Sequence, residues 1–85
     1  MKLLFTKTFV RDYRKLPQDI QQQTDKQLEL LLSNPKHPSL NMKKMKDPRN
    51  IWEGRITISY RFTCQITEDT YVLRKVGPHD ILSNP

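Results

Sequence analysis

The chain has 85 residues, which sets the scale of one domain, residues 1–85. Its 35% hydrophobic and 28% charged content holds no apolar run near the roughly 18 residues a membrane span needs. The single cysteine, Cys64, excludes an internal disulfide and any zinc site built on several cysteines. Fifteen Lys and Arg against nine Asp and Glu leave a net charge of +6, which favours a polyanionic partner. Nucleic acid is the first choice; an acidic protein or an anionic membrane surface competes.

Met1–Thr6 turns polar too early for the apolar core of a secretory signal, so the cytoplasm is the expected location. Lys2–Phe5 reads as a first strand. Thr6 or Thr8 can cap a helix in which Phe9, Tyr13 and Leu16 recur at spacings of four and three. Pro17 ends that helix and suits the first turn of a second, whose stripe is Ile20, Thr24, Leu28, Leu31 and Leu32. Asn34-Pro35 closes it. Residues 35–50 contain Pro35, Pro38 and Pro48 and the basic cluster Lys43, Lys44, Lys46 and Arg49, and read as a loop.

From Ile51 the period changes to two. Ile56, Ile58, Tyr60, Phe62, Cys64 and Ile66 fall on one face; Arg55, Thr57, Ser59, Arg61, Thr63 and Gln65 fall on the other. A bend near Ser59-Tyr60 would break this parity. Glu68-Asp69 marks a turn, Tyr71–Val76 another strand, Gly77-Pro78 a break, and His79–Pro85 a short tail. The order is β-α-α-β-β-β, an α+β fold with a helical hairpin packed on one face of an antiparallel sheet. Arg55 and Arg61 would then point from the sheet's other face, beside the lysine-rich loop.

Three segments carry a resemblance: Ile51-Trp52-Glu53-Gly54-Arg55-Ile56, then Tyr60-Arg61-Phe62, then Leu73-Arg74-Lys75-Val76-Gly77-Pro78-His79-Asp80. With the order of elements, they make the chain similar to the RelE/ParE superfamily of toxins from toxin–antitoxin pairs, of microbial-ribonuclease-like fold. The resemblance to its RelE-like branch implies an mRNA interferase. Such a toxin enters the ribosomal A site and cuts the codon there without metal or other cofactor. It touches messenger and ribosomal RNA. A cognate antitoxin silences it, and operator DNA is met only through the complex of the two. No membrane role is implied. The superfamily's ParE-like branch implies an alternative, inhibition of DNA gyrase by protein contact. A third reading is a catalytically weak or inactive member that only binds its antitoxin.

Cleavage by the ribose 2′-hydroxyl needs a base, an acid for the leaving 5′-oxygen, and cations for the phosphorane. Arg61 matches the family's strand arginine, and its planar fork suits phosphate oxygens. Arg55 is a further candidate in the catalytic group, for phosphate or ribosomal RNA. His79 matches a position where some branches carry a functional histidine and suits proton transfer near neutral pH; His37 has weaker support. Glu53 is a candidate base. Lys43, Lys44, Lys46, Arg49 and Arg74 are candidates for RNA backbone contact. Many ribonuclease members carry an aromatic residue shortly after this histidine or arginine; here Asp80–Pro85 has none. A lost base stack is worth roughly 1–3 kcal/mol, so weaker cleavage is the expectation. Bland readings stand beside these: Arg61 as ion-pair partner of Glu53 or Asp80, His79 as a surface residue, Trp52 as packing, the lysines as a solvated segment, and Cys64 as a small buried apolar group.

Overall fold

The structure, a computed structural model, describes residues 1–85. Strand β1 (Lys2–Phe5) leads into α1 (Lys7–Arg14) and α2 (Gln18–Ser33). Thr6 sets the first junction: its hydroxyl accepts from the Phe9 amide at 3.2 Å as a helix cap and donates to the Leu73 carbonyl at 2.8 Å. Pro17, with extended ψ, stands at the N-cap of α2, one position before the expected first turn. Asn34 closes α2 as expected, its amide donating to Leu30 O at 2.7 Å.

The stripe of α2 differs in one place. Leu32 is exposed, and Gln27 is buried in its stead, because its Nε2 donates to the carbonyls of Ser39 (3.3 Å) and Arg55 (2.9 Å). A buried amide is tolerated when its donors are satisfied.

The loop of residues 35–50 carries more structure than its prolines suggest: a 3-10 turn (Pro38–Leu40) and a short strand, β2 (Lys43–Lys44). Strands β3 (Ile51–Arg55), β4 (Tyr60–Ile66) and β5 (Thr70–Pro78) follow, and a 3-10 turn (His79–Ser83) leads into the tail. The sheet order is β1-β5-β4-β3-β2; β2 to β5 are antiparallel, as tight connections require, and β1 joins β5 in parallel. The sheet is therefore mixed rather than purely antiparallel. β5 extends through Gly77 and Pro78, beyond the expected break.

Phe9, Leu28, Leu31, Phe62, Leu73 and Val76 lie in the buried cluster between helices and sheet. Gly54 lies directly beneath the Phe62 ring: a Cβ there would sit 2.1 Å from Phe62 Cζ. Cys64 is fully buried in the same cluster, and burial pushes its thiol up to about 12. The expected alternation breaks at the bend. Residues 56–59 form the β3–β4 turn, and Ile58 is 86% exposed at its tip instead of buried.

Candidate nucleic-acid interface

Arg55 on β3 stands directly opposite Arg61 on β4, which in turn faces Gly77 on β5. Residues in direct register project to the same face, here the face away from the helices. The neighbouring row is Lys43, Glu53, Thr63 and Lys75. The strands thus place the arginine pair on one face, as the alternation predicts, and bring Glu53 to the same face.

Arg61 is only 9% exposed. Its Nη1 donates to the carbonyls of Thr57 (2.6 Å), Ile58 (3.0 Å) and Tyr60 (3.0 Å), so one end of the guanidinium clamps the β3–β4 turn. The ion pair with Glu53 or Asp80 does not form; the charge is held by backbone dipoles instead. Arg55 is half-buried, and its Nε is buried without a hydrogen-bond partner. His79 is brought to the same end of the sheet: its amide donates to Ser59 O at 3.0 Å, one residue past the Tyr60–Pro78 pair. Its side chain is exposed.

The basic loop is divided. Lys43 registers with Glu53 and joins the open face, whereas Lys44 registers with Trp52 and joins the helix side. Lys46 is exposed. Arg49 is already committed: its Nε and Nη2 grip Asp47 at 2.9 and 2.7 Å. Those hydrogen bonds hold the Asp47 carboxyl down at about 2.

A β-bulge between the Thr63–Lys75 and Cys64–Leu73 pairs leaves Arg74 without a partner in the ladder. Arg74 and Lys75 both turn to the tail. Arg74 Nε donates to Pro85 O (3.2 Å), Lys75 Nζ to Asn84 O (2.6 Å), and Thr63 Oγ1 to Pro85 O (3.4 Å). Gly77 lets the tail come close, since a Cβ there would lie 2.9 Å from Ile81 Cγ2. The tail therefore covers part of the face that strand alternation alone leaves open. Arg74 sits beneath it, away from the exposed strip beside the β3–β4 turn. No three His, Cys, Asp or Glu side chains gather into a metal-ligand set, and no helix is long and apolar enough to cross a membrane.

Sequence reasoning missed the contact of α2 with the Pro38–Leu40 turn. There His37 Nδ1 accepts from the Ser39 amide at 3.1 Å, with the Ser39 hydroxyl 2.8 Å from the same nitrogen. Gln27, a polar residue among apolar spacings, was the available signal.

A small α+β domain with a basic sheet face beside a hairpin turn is the class this geometry defines. Known proteins place it further. No protein-family model matches the chain. Toxin RelE3 of Methanocaldococcus jannaschii is 30% identical over 82 residues, covering 89% of this chain and 88% of the relative. The RelB-RelE antitoxin-toxin complex from Methanococcus jannaschii aligns with a TM-score of 0.77 at 25% identity, over 95% of each chain. The YoeB/ParE toxin from Agrobacterium tumefaciens aligns with a TM-score of 0.76 at 17% identity, over 93% of this chain and 99% of that one, a likeness of fold. The chain belongs to the RelE/ParE superfamily of toxins of toxin–antitoxin systems.

Proposed function

We propose that this chain is a ribosome-dependent endoribonuclease that cuts messenger RNA in the A site and is silenced by a cognate antitoxin. The observation that carries the reading is the cross-strand pair Arg55–Arg61 with His79 at the same end of the sheet. Glu53 lies one row further in, about 7 Å along the strand. A phosphate seated over Arg61 would then have a carboxylate towards one side and an imidazole towards the other. That arrangement suits in-line displacement.

In the step itself, Glu53 takes the 2′-hydroxyl proton as the 2′-oxygen bonds to phosphorus. His79 gives a proton to the 5′-oxygen as its bond to phosphorus breaks. The products are a 2′,3′-cyclic phosphate and a 5′-hydroxyl. Arg55 and the free edge of Arg61 hold the equatorial oxygens, where charge develops. Lys43 and Lys46 meet backbone phosphates and give the salt-dependent part of binding. For the antitoxin, the exposed Phe5 and half-buried Val10, bordered by Lys7, Arg11, Arg14 and Lys15, suit an acidic amphipathic segment.

Induced expression in a bacterium tests the reading. Prompt arrest of protein synthesis with cuts inside codons is expected, and Arg61→Ala and His79→Ala should each relieve toxicity. Replication arrest with intact messenger RNA would transfer the chain to the gyrase-inhibiting reading. Absence of any growth defect would leave antitoxin binding as its whole activity.

A further inference from the structure

Behind the arginine pair, between α2 and the β3–β4 turn, runs a second groove of about 530 Å³. Lys26 of α2, His37 and Arg55 line it, and no Asp or Glu does. Its walls also carry neutral donors, among them Gln23, Ser39 and Thr57.

The groove is held in shape. Buried Gln27 donates from one nitrogen to Ser39 O and Arg55 O, tying α2 to the 3-10 turn and to the end of β3. His37 is fixed by Ser39. Because a backbone N–H can only donate, Nδ1 must accept from the Ser39 amide, and the neutral ring carries its proton on Nε2. That nitrogen is the ring's free donor. Arg55 borders the groove through its carbonyl, which accepts from Gln27 Nε2 at 2.9 Å. Ile58, 86% exposed at the mouth of the groove, offers an apolar surface of the kind a base can pack against.

We infer that this groove is a second phosphate-binding site, which takes the backbone of the RNA strand as it passes around the β3–β4 turn from the Arg55–Arg61 face. Arg55 borders both surfaces, its carbonyl held by Gln27 at the groove and its side chain on the Arg61 face. Lys26 and His37 supply the new contacts: one an ammonium point charge, the other a directional N–H. Polar walls without a carboxylate suit a phosphodiester. An acidic amphipathic segment finds a more uniformly apolar floor beside α1 and β1, where Phe5, Phe9, Val10 and Leu28 meet, whereas here only Leu30, Ile56 and Ile58 are apolar. The inference rests on the ribonuclease reading but concerns a different surface.

The test is an amide chemical-shift titration of the full chain with a short single-stranded RNA, repeated with inorganic phosphate. Shifts at Lys26, Ser39 and Thr57, together with shifts on the Arg61 face, are expected with RNA, and weaker ones with free phosphate. Lys26→Gln, an exposed and conservative change, should reduce RNA affinity several-fold. It should also lower the slope of log affinity against log salt by about 0.7, the signature of one lost phosphate contact on a single strand. Shifts confined to the Arg61 face, with affinity and slope unchanged in Lys26→Gln, would overturn this inference and leave the ribonuclease reading standing. Shifts confined to the groove would overturn the continuous strand path from the Arg61 face that the inference requires. Silence on both surfaces would overturn this inference, while the ribonuclease reading is decided by the expression experiment.

Discussion

A guanidinium that donates to three carbonyls from one nitrogen is anchored at one edge and available at the other. Arg61 is in this state, and its two roles separate by experiment. Arg61→Ala leaves the carbonyls of Thr57, Ile58 and Tyr60 without their donor, and should lower stability by about 2 kcal/mol, the scale of hydrogen bonds to a charged group. Arg61→Lys keeps a charge near those carbonyls and should cost less, yet it loses the planar fork and so should relieve toxicity as fully. His79→Ala should relieve toxicity with stability within about 0.5 kcal/mol, as expected for an exposed side chain. Urea unfolding beside growth assays reads both effects; a full loss of toxicity explained by unfolding alone would return Arg61 to a structural role. Residue types were legible in the sequence here, but partners were not: the clamp acceptors are backbone oxygens, which every residue carries. Asp47 and Arg49 make the same point, since their grip removes Arg49 from the free cations of the loop. With its pKa about 2 instead of the ordinary 3.8, Asp47 binds its proton more weakly in the folded state. Its stabilising contribution is therefore present above about pH 4 and is lost as pH falls through 3.8 towards 2. Arg49→Ala should return the Asp47 pKa towards 3.8 in a carboxyl-carbon titration, and a value still near 2 would refute this cause.

At the level of elements, the period of two located β4 and most of β3 because inward residues must be apolar to cover the helices. It failed at residues 56–59, where the chain reverses and parity no longer holds; Ile58, apolar and in phase, is exposed at the tip. The helical hairpin was legible for the same reason as the strands, and Leu32 was misplaced by Gln27, whose burial depends on acceptors far along the chain. Parallel pairing of β1 with β5 has no local signature, since its register follows from where the hairpin returns the chain. Gly54 shows how tightly the sheet meets the core. The Phe62 ring occupies the place of its missing side chain, and three ring carbons lie within 2.9 Å of a Cβ built there. Phe62 is fully buried and cannot swing into solvent. Gly54→Ala should therefore cost about 3 kcal/mol, at the upper end for overpacking, measured as a lower urea midpoint with unchanged slope. A loss below about 1 kcal/mol would mean the ring has room to move.

Across the whole molecule, the net charge of +6 is distributed unevenly by the tail. Lys75 and Arg74 are turned to the Asn84 and Pro85 carbonyls, so two cations of the open face are spent within the chain. This arrangement was hidden in the sequence: His79–Pro85 has no periodicity, and it docks through carbonyls and through the absence of a side chain at Gly77. The apolar part of that docking is Ile81, half-buried against Gly77. Ile81→Ser should weaken it without changing charge. The tail amides should then exchange faster with solvent while the buried core of β4 and β5 keeps its protection. With Arg74 and Lys75 released, short single-stranded RNA should bind more tightly at low salt, and the slope of log affinity against log salt should steepen by about 1.4, two contacts at roughly 0.7 each. A variant whose tail exchanges faster but whose salt slope is unchanged would show that these two cations never face the strand. The strip of Arg55, Arg61 and His79 would then define the front face alone.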